Sequence, residues 1–423
     1  MAVRESEYRN IKLEGNPNPE IRRARTERPG EAGPEFGAAC VVTDAVHTAG
    51  ESSPEGAKGL SRGRKPPETG APQRRAPKGR KEASLARRAR AIACACIAGL
   101  LLHAAAAANG QDAAPAGTVH VAELSPETER SIDRALKYLA KAQHADGSWA
   151  TKYKAAATSL SLMGFMLKGH FPKQGKYGRG LDRAVRFLVQ RAREGGGYFG
   201  GNMYEHGLGT LALSEVWGMT ERKELRDTIK QAVVVILKSQ ASSGGWRYQP
   251  IPRDADISVT VMQIVALSSA REAGIYVPQK TIDRAVKYVK RLQVRFTGGF
   301  GYTSPGSEGF ARTAAGVMSL LMCGEDADSR AVRSGLSYLN KYPKDKFTKI
   351  EWYYYGHYYA VQAMYQAGES YYQTWYPQIQ RSLLRKQQSD GSWRSGSAGT
   401  EGSTAMAVLI LGVPYRFLPI YQR

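Results

Sequence analysis

The chain has 423 residues, with 60 Lys and Arg against 38 Asp and Glu, a formal charge of +22 and four cysteines. At about 100–200 residues per domain this length accommodates a full hydrophobic core, which excludes a disulfide-stapled miniprotein. The basic excess is split, 7 charges in the first 110 residues and 15 downstream, and no zinc finger or aromatic-basic reader module accompanies it, so no nucleic-acid partner is expected.

Residues 1–85 are rich in Gly, Pro, Arg, Glu and Ser with no sustained apolar period. Such a segment buries too little surface to offset its ordering entropy, and a disordered basic leader is expected. Residues 86–110 have the layout of a secretory signal: Arg87, Arg88 and Arg90, the apolar stretch 91–102, then the small-residue tract 104–108. Export to the periplasm or the extracellular space is the expectation. Its place so far into the chain is accounted for by an over-extended reading frame upstream; an N-terminal membrane anchor with a basic cytoplasmic tail is the alternative. Cys94 and Cys96 stand at C-x-C spacing and Cys323 is alone in its region, which matches no zinc half-site, so neither a metal nor a cofactor is expected.

Downstream the chain repeats itself. Gln143, Gly147 and Trp149 return as Gln240, Gly244 and Trp246, and again as Gln387, Gly391 and Trp393, each set spaced Q-x3-G-x-W. Degenerate copies run from Gln190 to Tyr198 and from Gln293 to Phe300, and a further unit near Gly335 has lost the Gly-aromatic turn. With the aromatic markers set at 149, 198, 246, 300 and 393, the steps are 49, 48, 54 and 93, the last close to two periods. A period of this size signifies a repeated supersecondary unit.

Each unit reads as two helices. The first carries apolar residues at i, i+3, i+4 spacing, as at Ile132, Ala135, Leu136 and Leu139, and stops at the glycine turn. The second is apolar on most of its circumference, as over 155–167, 260–267 and 405–411, and so is buried on most sides. Six such pairs with an apolar last helix predict an all-α, (α/α)6 toroid over about 125–415, an inner ring wrapped by an outer ring.

The Q-x3-G-x-W repeat followed by an apolar helix resembles the prenyltransferase and squalene-oxidase repeat of squalene-type terpenoid cyclases and protein prenyltransferase beta subunits, over roughly 290 residues. The resemblance implies the toroid and a small apolar or isoprenoid-like ligand. In the cyclases a D-x-D-D-T-A segment supplies a proton; here Asp254 and Asp256 match its first and central carboxylates, and Ile257 replaces the next. Asp256 also reads as an N-cap of a helix over 258–270. The prenyltransferase zinc site is not matched, because Leu321 stands two residues before Cys323, and the thioester motif of other toroids is missing.

If the inner helices are parallel, their N-termini share one rim, where unpaired N–H groups favour anions. The residues delivered there as candidate ligand contacts are Tyr204, Glu205, His206, Arg253, Glu308, Arg312, Trp352, Tyr353, Tyr354 and His357. His206 and His357 read equally as structural hydrogen-bonders. Three functions are carried forward. One is an exported toroid that binds an apolar or anionic ligand at this mouth without full cyclase chemistry. The others are a terpenoid cyclase using Asp256 as general acid and a toroid polysaccharide lyase. Peripheral membrane contact is compatible with the charge.

Overall fold

Six stretches with a 3.6-residue apolar stripe alternate with six that carry almost no charge, and this alternation builds two concentric layers. The computed structural model describes residues 124–220, 222–342, 347–394, 399–415 and 418. The expected leader and signal-like segment lie outside the described residues. Within them the chain forms six helix pairs: α1 (Pro126–Ala142) with α2 (Lys154–Leu167), α3 (Gly178–Glu194) with α4 (Met203–Thr220), α5 (Lys223–Ser239) with α6 (Ile257–Glu272), α7 (Gln279–Arg291) with α8 (Phe310–Met322), α9 (Arg330–Asn340) with α10 (Tyr353–Ala367), and α11 (Glu369–Lys386) with α12 (Gly399–Leu411).

The odd-numbered helices are outer. On α1 the buried stripe includes Ile132, Ala135, Leu136 and Leu139, whereas on α6 every residue from Ile257 to Ala270 is buried. Each even-numbered helix packs on its two inner neighbours, and α12 packs back on α2 and α1, so the inner ring closes. The fold is an (α/α)6 toroid.

The repeat motif holds neighbouring units together. Gln143 Nε2 donates to the Gly147 carbonyl of its own turn and to the Gly180 carbonyl at the start of α3, both at 2.9 Å. Gln240 does the same with Gly244 and Thr281, and Gln293 with Gly298 and Ala331. Gln387 reaches Gly391 and, across the closure, Ser131 of α1, while Arg134 donates to its Oε1. The tryptophans are pinned from both ends. Trp149, Trp246 and Trp393 donate their indole N–H to the carbonyls of Leu139, Ile236 and Leu383, and their backbone N–H to Thr158, Thr260 and Thr404 of the following inner helix.

The second unit corrects the expected register by one residue. Its turn aromatic is Phe199, fully buried, not Tyr198; the glycine that abuts the next outer helix, at Gln231, is Gly197. Three consecutive glycines, Gly195–Gly197, and two adjacent aromatics hide this in the sequence. In the fifth unit the Gly-aromatic turn is replaced by a segment that includes a 3-10 turn at Phe347–Lys349 and by Trp352 in the left-handed region, φ 59°.

Gly391 has φ +91°, and a methyl group on it would lie 2.6 Å from the Arg134 carbonyl across the ring closure. Gly274 has a similar φ, +80°, with open space around it. Gly274→Ala is therefore expected to cost about 1 kcal/mol from backbone strain alone, and Gly391→Ala about 3 kcal/mol because the two helices must also move apart. Denaturant unfolding of the two variants checks this; equal losses would remove the closure contact as the reason for the glycine.

Candidate functional site at the inner-helix mouth

The connections from outer to inner helix all lie on the rim where the inner helices begin. In the third unit the chain leaves Trp246, runs out through Arg247–Ala255 and returns to pair with itself, Asp256 N–H donating to the Trp246 carbonyl at 3.0 Å. This closed excursion places Asp256 at the start of α6. Its Oδ1 accepts from Val259 N–H at 2.9 Å, which makes it the N-cap.

Asp256 is fully buried, and its other oxygen, Oδ2, has no hydrogen-bond partner. The nearest cation is Arg247, whose Nε lies 3.8 Å from Oδ2 and whose Nη1 is engaged with Asp254 at 2.8 Å. Burial pushes the Asp256 carboxyl up to about 7; the Val259 N–H and the Arg247 charge oppose this without overcoming it. Asp254 is partly exposed and stays an ion-pair partner.

Beside Asp256, between the starts of α6, α8 and α10, lies a cavity of about 270 Å³. Tyr248, Tyr302, Trp352 and Tyr355 give it aromatic walls, and Ser258, Ser307, Arg312 and the exposed Glu351 line it with polar groups. The Tyr248 and Tyr302 hydroxyls are 2.5 Å apart, and burial raises Tyr302 to about 12. The helix starts differ: α6 is capped by Asp256, whereas α8 and α10 have no side-chain cap. Arg312, in the first turn of α8, is half-buried and makes no hydrogen bond or ion pair to any described residue.

Several candidate residues are placed elsewhere. Glu205 is buried and its Oε2 accepts from Ala155 and Ala156 N–H at 3.0 and 3.3 Å, so it caps α2 from the neighbouring unit; burial raises its carboxyl while these N–H groups oppose. His206 is fully buried beside the Tyr198 and Phe199 rings, with Nε2 at 3.1 Å from the Ala232 carbonyl. His357 is fully buried among Phe310, Phe347 and Trp375, with Nε2 at 3.3 Å from the Phe347 carbonyl. Both imidazoles therefore sit between the layers and away from the mouth, and burial depresses them to about 4 and about 3.

Tyr353 also turns to the outer layer, its hydroxyl 2.7 Å from Ser382 and its ring under Lys386. The Tyr354 hydroxyl donates to the Arg394 carbonyl at 3.5 Å. Tyr204 lies deep in the ring with its hydroxyl 3.4 Å from that of Tyr359, which in turn donates to Met262 Sδ at 2.9 Å. Arg253 is exposed and Glu308 half-buried at the rim. Of the candidates, Trp352 and Arg312 line the cavity, and Asp256 stands two residues before the lining Ser258.

Tyr248 and Tyr302 were legible from the repeat itself. Each stands two residues after a turn aromatic, Trp246 and Phe300, and equivalent positions in consecutive units must face the same rim. Among the described residues no group of three or more His, Cys, Asp or Glu side chains is placed to hold a metal ion.

No family model matches the chain, and no curated protein does. Solved structures do. An inactive variant of the α-1,6-mannanase of Salegentibacter sp. HEL1_6, in complex with α-1,6-mannotetrose, matches at 8% identity and a TM-score of 0.54, covering 69% of this chain and 100% of that one. The α-1,6-mannanase without these substitutions gives 9% and 0.52, over 67% and 98%. A variant of the type II terpene cyclase MstE from Scytonema, in complex with geranylgeranyl dihydroxybenzoate, gives 14% and 0.49, over 69% and 98%. The likeness to the mannanase structures bears out the α/α toroid; a fold of this kind does not by itself select a chemistry.

Asp256 binds its proton more tightly in the folded chain than at the ordinary value near 3.9. Its contribution to stability is thus full below about pH 4 and is lost as pH rises toward about 7. His206 and His357 act oppositely, contributing above about pH 6.5 and losing that contribution as pH falls toward about 4 and about 3. Asp256→Asn keeps an oxygen for the cap but cannot ionise. The stability of the wild type relative to Asp256→Asn should therefore fall between pH 4 and pH 8 in denaturant titrations; a difference that stays flat would show that the carboxyl is ionised throughout.

Proposed function

We propose that the protein binds a small anionic ligand with an apolar or aromatic body in the mouth cavity. Arg312 carries this reading: a half-buried guanidinium without a partner among the described residues stands in an aromatic-walled cavity, over two helix starts that have no side-chain cap. Such a cation is matched by a carboxylate or phosphate, with the positive N-terminal ends of α8 and α10 adding to the attraction. Tyr248, Tyr302 and Trp352 offer flat apolar faces to the rest of the ligand. The size favours a short molecule, since the cavity's roughly 270 Å³ falls below the common range of about 300–1,000 Å³ for ligand sites. Export through the signal-like segment 86–110 would place this binding outside the cytoplasm.

One observation favours a second reading, a terpenoid cyclase using Asp256 as general acid. A buried carboxyl whose pKa is raised to about 7, with one oxygen lacking a hydrogen bond and aromatic rings close by, has the properties of a proton donor to an alkene. Against it stands the ring centre, where Tyr359, Met262 and Gln263 are fully buried and leave the space to side chains.

Calorimetric titration of the full chain with geranyl diphosphate and with benzoate tests the first reading. Binding of either, weakened about tenfold or more by Arg312→Gln, is expected; absence of binding, or binding indifferent to that change, rejects it. Incubation with squalene and prenyl diphosphates tests the second, which stands only on a product that Asp256→Asn abolishes.

A further inference from the structure

The turns that carry the repeat glutamine provide an internal control on one another. Between glutamine and glycine three of them read His144-Ala-Asp146, Ala241-Ser-Ser243 and Gln388-Ser-Asp390, and the turn after α7 reads Val294-Arg-Phe-Thr297, one residue longer. In two of the short turns Asp146 and Asp390 accept from Ser148 and Ser392 N–H, both at 2.9 Å. In the long turn Thr297 takes over this role, its Oγ1 accepting from Gly299 N–H at 3.2 Å. The added residue leaves Phe296 without a part in the turn, and it projects fully into solvent, the single large hydrophobic so exposed among the described residues.

Its surroundings are cationic. A groove of about 830 Å³ beside Phe296 is walled by Lys290, Arg291, Arg295 and Arg330 and by one carboxylate, Glu325. That carboxylate is held by Lys290 at 2.7 Å, and the Arg295 and Arg330 side chains have no ion pair with any described residue. An isolated ring on a protruding tip has no socket of its own, and unpaired guanidinium groups flank it. This combination is complementary to the boundary of an anionic bilayer, where a ring enters the acyl layer and arginines meet phosphate.

We propose that the α7–α8 turn is a membrane-docking point, with Phe296 as the inserted anchor and Arg295 and Arg330 as contacts to anionic headgroups. The same connection continues to Tyr302, Ser307 and Gly309 of the mouth cavity, so docking brings the mouth rim toward the lipid surface. The inference stands on the turn and groove alone and is independent of what the mouth binds.

Flotation of the full chain with phosphatidylcholine vesicles, with and without phosphatidylglycerol, is the test. Binding that requires phosphatidylglycerol is expected, lowered about tenfold by Phe296→Ser and restored by Phe296→Leu. Arg295→Gln and Arg330→Gln should each weaken it about fivefold. Phe296→Trp supplies a readout specific to the turn, because its added fluorescence should be quenched by lipids brominated along the acyl chain. Binding indifferent to Phe296→Ser, or vesicle-bound Phe296→Trp protein without added quenching, overturns the proposal, including the case in which another part of the chain holds the vesicle.

Discussion

The toroid depends on one recurring contact, the turn glycine of five of its six units pressed against the backbone of the next outer helix. Gly147 meets Arg183, Gly197 meets Gln231, Gly244 meets Arg284, Gly298 meets Ser334, and Gly391 meets Arg134. No side chain fits at these points, and in four of the five the glutamine beside the glycine bonds both its own turn and a carbonyl in the next outer helix. Each of these five units is thereby fixed to its successor in one orientation. The last contact joins residue 391 to residue 134 and converts a stack into a ring, which hides the apolar end that an open solenoid would leave exposed.

Fixed orientation has a chemical consequence. Since every outer helix hands over to its inner helix at the same rim, six inner N-termini and their connections collect there. The ring centre is occupied by packing: Tyr355 meets Tyr204 at a tilt and Tyr359 edge to face, and Met262 receives the Tyr359 hydroxyl. Room and unpaired polar groups are therefore found together at the rim, between the starts of α6, α8 and α10, where Arg312 and the uncapped helix ends lie.

The sequence made the repeat, the pairing of helices and the closure legible because each rests on local chemistry repeated many times: a rare Trp, a glycine with positive φ and an apolar circumference. What it concealed was facing. His206, His357, Tyr353 and Trp352 all stand at inner-helix starts, and only the angle around the helix separates a side chain over the cavity from one between the layers. On a helix buried all round, hydrophobic periodicity carries no such angle. Glu205 was hidden for a related reason, since its role as a cap for α2 joins two units some fifty positions apart. Conversely Tyr248 and Tyr302 were within reach, because repeat register alone aligns them.

Asp256 shows why a structural and a chemical role need not compete for one residue. The cap uses Oδ1 alone, and in doing so it anchors the carboxyl at the buried start of α6. The fixed side chain cannot swing toward solvent, so Oδ2 stays desolvated and Arg247, engaged with Asp254, approaches only to 3.8 Å. Full pairing with Arg247 would hold the carboxyl ionised; capping alone does not supply enough compensation for a buried charge. A carboxyl of raised proton affinity near the mouth is thus a consequence of the cap's own geometry, and Ile257 at the next position adds no neighbouring charge to the burial that raises Asp256.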